Sequence, residues 1–191
     1  MTSLENKKEV SKEIASSFFE VLEDTVSGIA LGVSLCVASP AVLVALIGLS
    51  KRQIISQEVA AVIGAVVIIA FVLAAVVKIV KSALVLDPYK PILQGEVEIT
   101  EGADKVAKDR RFGFERKYSR GITVGTVFCA LVIAPLTFMI LYANSMGKEF
   151  IVPIMTAVIL VLVALGVNNL VRSVTVMEIY NKFINRKNIF G

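Results

Sequence analysis

The sequence predicts an all-α integral membrane protein. Its four transmembrane helices form two parallel helical-hairpin repeats with pseudo-two-fold symmetry, preceded by an amphipathic helix. Three observations lead there. Apolar residues make up 56% of the 191-residue chain and charged residues 19%, a balance unlike that of an ordinary soluble domain. The apolar residues gather in four runs, about 28–50, 59–80, 121–143 and 150–171, each near the ~20 residues that carry a helix across a ~30 Å hydrocarbon core. The second pair of runs also repeats the motifs of the first.

Residues 1–27 come first. Val10, Ile14, Phe18, Leu22 and Val26 recur at helical spacing, with Glu13, Glu20, Glu23 and Asp24 placed elsewhere, so a helix over about 3–26 has one apolar face. Thr2-x-x-Glu5 fits a capping box at its start. Six acids against three lysines argue for packing on protein rather than on anionic lipid.

Residues 28–82 form the first transmembrane hairpin. Val59–Val77 is apolar or glycine on every face, which excludes a surface helix of a soluble bundle. Residues 83–120 form a basic loop with short helices. Asp87-Pro88 reads as a helix start, Glu96–Thr100 alternates like a short strand, and Thr100 caps a helix over roughly 103–118. Residues 121–173 form the second hairpin, and 174–191 a tail.

The repeat rests on polar positions. Gly28, Ile29, Gly32 and Cys36 recur 93 positions later as Gly121, Ile122, Gly125 and Cys129. Lys81, Ser82, Val85, Asp87 and Tyr89 recur 91 positions later as Arg172, Ser173, Val176, Glu178 and Tyr180. Glu58 and Glu149 match at the same offset. Gly28/Gly32 and Gly121/Gly125 are GxxxG packing motifs that let helix backbones approach closely. The simplest arrangement packs the first span against the third across the axis. Pro40 and Pro135 are candidate hinges, because each removes a backbone hydrogen bond in mid-span. Ser39 is placed to satisfy the carbonyl that Pro40 frees.

Charge sets the topology. Of 20 Lys and Arg, 17 fall before the first span, between the hairpins or after the last span. The positive-inside rule then puts both termini and the central loop in the cytoplasm of a multi-pass cell-membrane protein. The central loop carries Arg110, Arg111, Arg116, Lys117 and Arg120, expected to contact anionic lipid headgroups or a protein partner. Interleaved acids make nucleic acid an unexpected ligand.

The catalytic repertoire is thin. There is no His, the commonest general base and metal ligand. There is no phosphate-binding loop or dinucleotide fingerprint. No catalytic, cofactor-binding or metal-binding residues are assigned, and Cys36 and Cys129 are read as packing residues. No ionisable side chain falls in mid-span, where transporters usually carry some. Asn168 and Asn169 are the deepest polar pair and the candidate polar site.

The string Gly-Ile-Ala-Leu-Gly-Val-Ser-Leu-Cys-Val-Ala-Ser-Pro at 28–40 resembles a membrane module of uncharacterised Firmicutes membrane proteins. So does Lys117-Tyr118-Ser119-Arg120 at the end of the central loop. In that group the module is often fused to a Cro/C1-type helix-turn-helix regulator. About 26 residues precede the first span, too few for that domain, so the resemblance implies no DNA binding. It implies a non-enzymatic sensing, regulatory or partner-binding module, joined to a protein partner or to copies of itself. Self-protection against a toxin or bacteriocin, and a small transporter or channel, are the alternatives.

Overall fold

The computed structural model describes residues 9–142 and 149–185. Helix α1 spans Lys12–Lys51 and α2 spans Gln57–Leu86. A 3-10 turn at Asp87–Tyr89 leads into the short α3, Lys90–Gln94. Helix α4 spans Glu101–Leu131, α5 spans Ile133–Tyr142 and α6 spans Ile151–Asn185. Two two-residue strands, β1 (Glu9–Val10) and β2 (Glu98–Ile99), pair in parallel. Among the described residues, four helical stretches are long and apolar enough to cross a membrane.

These helices exceed the four apolar runs. At 40 residues, α1 is about 60 Å long, roughly twice the hydrocarbon thickness. The expected amphipathic helix is therefore the first part of α1, with no break before the span. The capping box at Thr2 and Glu5 lies outside the described residues. Ser11 caps α1 instead, its hydroxyl accepting from the Ile14 amide at 3.5 Å, and Val10 belongs to β1. The central stretch differs in the same way. Asp87-Pro88 does open a helical element, the 3-10 turn with Pro88 in its first positions, but Leu86 rather than Asp87 is at the cap and the turn follows α2 directly. Thr100 does cap a helix, accepting from the Ala103 amide at 3.4 Å, but that helix runs on without interruption to Leu131. The expected tail is helical to Asn185. Continuing a helix satisfies backbone groups that a break would expose, and Gly28 and Gly121, at the expected boundaries, stay helical rather than adopting the left-handed conformation that ends a helix.

Packing divides sharply along the helices. Beyond the apolar runs lies one core of large side chains: Phe18, Phe19 and Leu22 of α1, Phe114 and Tyr118 of α4, and Val176, Tyr180 and Phe183 of α6. It gathers the start of α1, the start of α4 and the end of α6 at one end of the bundle. Within the runs, the buried residues are nearly all small, among them Gly28, Ala30, Gly32, Ala41, Gly64, Ala75, Gly125, Ala164 and Gly166. Large apolar side chains there point outward, including Val62, Val66, Leu73 and Val77 of α2.

The glycine motifs pack within each hairpin, and this corrects the expected pairing of the first span with the third. A Cβ at Gly28 would lie 2.1 Å from Ser82 Oγ, and one at Gly32 would lie 3.0 Å from the Ala75 carbonyl. A Cβ at Gly121 would lie 2.1 Å from Ser173 Oγ, and one at Gly125 would lie 2.9 Å from the Gly166 carbonyl. The turn of a few residues between α1 and α2 forces these antiparallel neighbours together, so the motif closes that contact first. The hairpins meet through α1 and α6. Gly48 of α1 lets Ile154 and Pro153 of α6 approach, and Arg52 stacks 3.9 Å above the Phe150 ring. The order across the bundle is α2, α1, α6, α4.

The two prolines behave differently. α1 runs unbroken through Pro40. Pro40 cannot donate to the Cys36 carbonyl, and Ser39 Oγ donates to it instead at 2.9 Å. Pro135 follows Ala134, which has no hydroxyl to do the same for Leu131. There the helix ends at Leu131, and α5 begins at Ile133.

Gly125→Ala is expected to cost about 1–3 kcal/mol, because its Cβ would meet backbone that cannot move aside. Gly28→Ala should cost less, since the Ser82 hydroxyl can rotate away. Thermal unfolding in mild detergent compares the two, and equal losses would contradict the packing described.

Candidate functional site

The end that carries the aromatic core also holds most of the charged side chains placed close together, and three helices build it. Phe19 of α1 lies 5.1 Å from Phe183 of α6 and 6.0 Å from Phe114 of α4, centroid to centroid. Phe114 stacks on Tyr180 at 5.0 Å and 12°. Phe18 adds Tyr89, 5.6 Å away, from the 3-10 turn. The sequence places Phe18 and Phe19 side by side, so both cannot occupy one narrow stripe. The face of α1 is broad enough for both because α4 and α6 flank it together.

Polar contacts fix the rim. Thr100 Oγ1 donates to the Val10 carbonyl at 2.7 Å, joining the start of α4 to β1. The Tyr180 hydroxyl donates to the Ala107 carbonyl inside the core. Burial pushes the Tyr180 hydroxyl up to about 12. Tyr118, 2% exposed, has its pKa raised chiefly by burial and next by Glu23, with Arg172 opposing. Its hydroxyl and Arg172 Nε are both buried at this spot, close to Glu23.

The five basic residues singled out in the sequence separate into two groups. Arg110 reaches α1, donating to Ser16 Oγ at 3.0 Å and lying 3.9 Å from Glu20. Lys117 pairs with Glu23 of α1. Arg111 pairs with Glu115 one turn on, at 2.8 Å, which raises its pKa. These three act in packing or within α4. Arg116 and Arg120 remain exposed, on the face of α4 turned away from α1 and α6. Sequence reasoning saw one basic patch because the acids that divide it, Glu20 and Glu23, lie about 94 residues earlier.

The other candidates lie elsewhere. Asn169 Nδ2 donates to the carbonyl of Leu165 in its own helix at 2.9 Å, which leaves less of it to line a polar path. Asn168 is half-buried beside it. Cys36 is exposed, and Cys129 sits against Gly166. A cavity of about 190 Å³ beside the aromatic core is lined by Phe18, Ile92, Leu93, Ile179, Lys182 and Phe183. Lys182 at its edge is paired with Glu178 at 2.6 Å. Sequence patterning gave no sign of this cavity, because its lining comes from three separate stretches.

The chain matches no family model, no curated protein and no solved structure.

Tyrosine in an unfolded chain titrates near 10, so the folded protein favours the neutral Tyr180 phenol. That contribution to stability is complete below pH ~10 and is lost as pH rises through about 12. Tyr180→Phe is expected to flatten this alkaline decline and to cost about 1 kcal/mol at neutral pH through the lost bond to Ala107. Unfolding midpoints measured across alkaline pH test both. A decline of unchanged steepness in the variant would assign it to other groups.

Proposed function

We propose that this protein is a non-enzymatic multi-pass membrane module of sensing, regulatory or partner-binding type. Its working part is the bundle end outside the bilayer. The observation that carries the reading is the division of packing. Specific large-residue packing and cross-helix charge pairs occur beyond the apolar runs, whereas small residues and outward-facing apolar side chains occupy the runs themselves. The surface offered to water is built with side-chain specificity, and the surface offered to lipid is generic.

The repeated motifs support an origin by duplication. A Cβ placed on Gly28 would meet Ser82 Oγ and Cβ at 2.1 Å and 3.3 Å, and one placed on Gly121 would meet the same atoms of Ser173 at the same distances. Two hairpins that enter and leave on one side are parallel repeats, but the expected two-fold axis is not supported: it would bring α2 against α4 as α1 meets α6, whereas the order α2, α1, α6, α4 relates the hairpins by a shift along the row. The distribution of Lys and Arg supports a cytoplasmic position for the core end and both termini. The resemblance to a module often fused to helix-turn-helix regulators supports a regulatory role.

Topology is tested with single cysteines in a background where Cys36 and Cys129 are Ala. Glu58→Cys is expected to react with an impermeant maleimide on intact cells, and Glu20→Cys only after lysis. The reverse pattern would invert the protein. Function is tested by affinity purification of the full chain in mild detergent and by proteoliposome flux. A reproducible soluble partner without solute flux is expected. Selective flux would favour the transporter reading, and a purely self-associated product would sink partner binding.

A further inference from the structure

We infer that Arg116 and Arg120 form a binding site for the phosphate of an anionic phospholipid on the outer face of α4. This rests on the membrane reading above. The two arginines are four residues apart on one continuous helix, so their side chains stand one above the other, about 6 Å apart along the axis. Both are exposed. Arg110, Arg111 and Lys117, their basic neighbours, are held by Ser16 and Glu20, by Glu115 and by Glu23. Glu115 is thus engaged by Arg111, and the next acid on the arginine face is Asp109, about two turns farther from the apolar run.

The stripe then continues into an apolar surface. Thr123 follows at helical spacing, its hydroxyl tied back to the Ser119 carbonyl at 3.1 Å. Val127 and Leu131 come next, 52% and 48% exposed. The apolar run begins at Gly121, so Arg120 lies at the hydrocarbon edge and Arg116 one turn outside it, at headgroup depth. A lipid standing along α4 would lay its acyl chains on Val127 and Leu131 and its phosphate between the two guanidinium groups. Guanidinium is suited to this contact because its planar fork can give two parallel hydrogen bonds to phosphate oxygens. A soluble phosphate would gain the charge contact alone. The apolar continuation therefore selects the lipid.

The test is lipid retention by the full chain, purified in mild detergent and titrated with phosphatidylglycerol or phosphatidylcholine under native mass spectrometry. Wild type is expected to retain phosphatidylglycerol in preference. The double variant Arg116→Gln with Arg120→Gln is expected to lose about tenfold or more in apparent affinity. Arg111→Gln removes the same kind of charge from the same helix and should change retention by less than about twofold, because Arg111 is already paired. Equal binding of the two lipids, an unaffected double variant, or an equal loss in Arg111→Gln would overturn the site. Displacement by millimolar inorganic phosphate would overturn it in favour of a soluble anion. Extraction of the protein from membranes by alkaline carbonate would refute the membrane reading itself, separately from any lipid result.

Discussion

Everything in this structure depends on the helices being longer than their apolar runs. Within lipid, two apolar helices gain nothing by hiding apolar surface from each other, because the lipid is equally apolar. In water they gain about 25 cal/mol for each Å² of apolar surface removed. One set of helices carries both kinds of surface. Where α1, α4 and α6 pass beyond their apolar runs, they bury Phe18, Phe19, Phe114, Tyr180 and Phe183 against one another. That aromatic core supplies a driving force that the spans cannot supply, and it fixes which helices are neighbours.

Inside the runs the same helices follow a different rule. Gly28, Gly32, Gly121 and Gly125 remove side chains where two backbones meet, which gains dispersion contact in place of hydrophobic burial. Gly125 and Gly166 lie so close that each would drive a Cβ to within about 3 Å of the other's carbonyl. A polar group in this region must find its partner nearby. Ser39 takes the carbonyl freed by Pro40, and Thr137 bonds Ile133 at 2.9 Å just beyond Pro135. The missing hydroxyl before Pro135 explains why one proline is absorbed and its counterpart divides a helix.

The charge pairs belong to the core end. Glu20 and Glu23 of α1 meet Arg110 and Lys117 of α4 along the flank of the aromatic core. Exposed pairs of this kind contribute little to stability. Their effect is to set the rotation of α4, which turns Phe114 and Tyr118 inward and leaves Arg116 and Arg120 outward.

Sequence alone determined the four long apolar helices, because an unbroken apolar run of about 20 residues satisfies its own backbone as a helix. It determined the apolar face of the N-terminal region, since Phe18, Leu22 and Val26 recur at helical spacing. It also determined the role of Ser39, which is a local bond. It did not reveal that the N-terminal region and the first span are one helix, because an amphipathic segment and an all-apolar segment differ in period and look like separate elements. It paired the first span with the third, where the structure pairs each glycine motif with the other helix of its own hairpin. A small-residue motif records that something comes close and carries no information about what. Only the tertiary structure decided which basic residues are free, because the acids that engage Arg110 and Lys117 come from the far side of the first hairpin. That pairing is a property of α1 and α4 meeting at one end of the bundle, and no short window of sequence contains both.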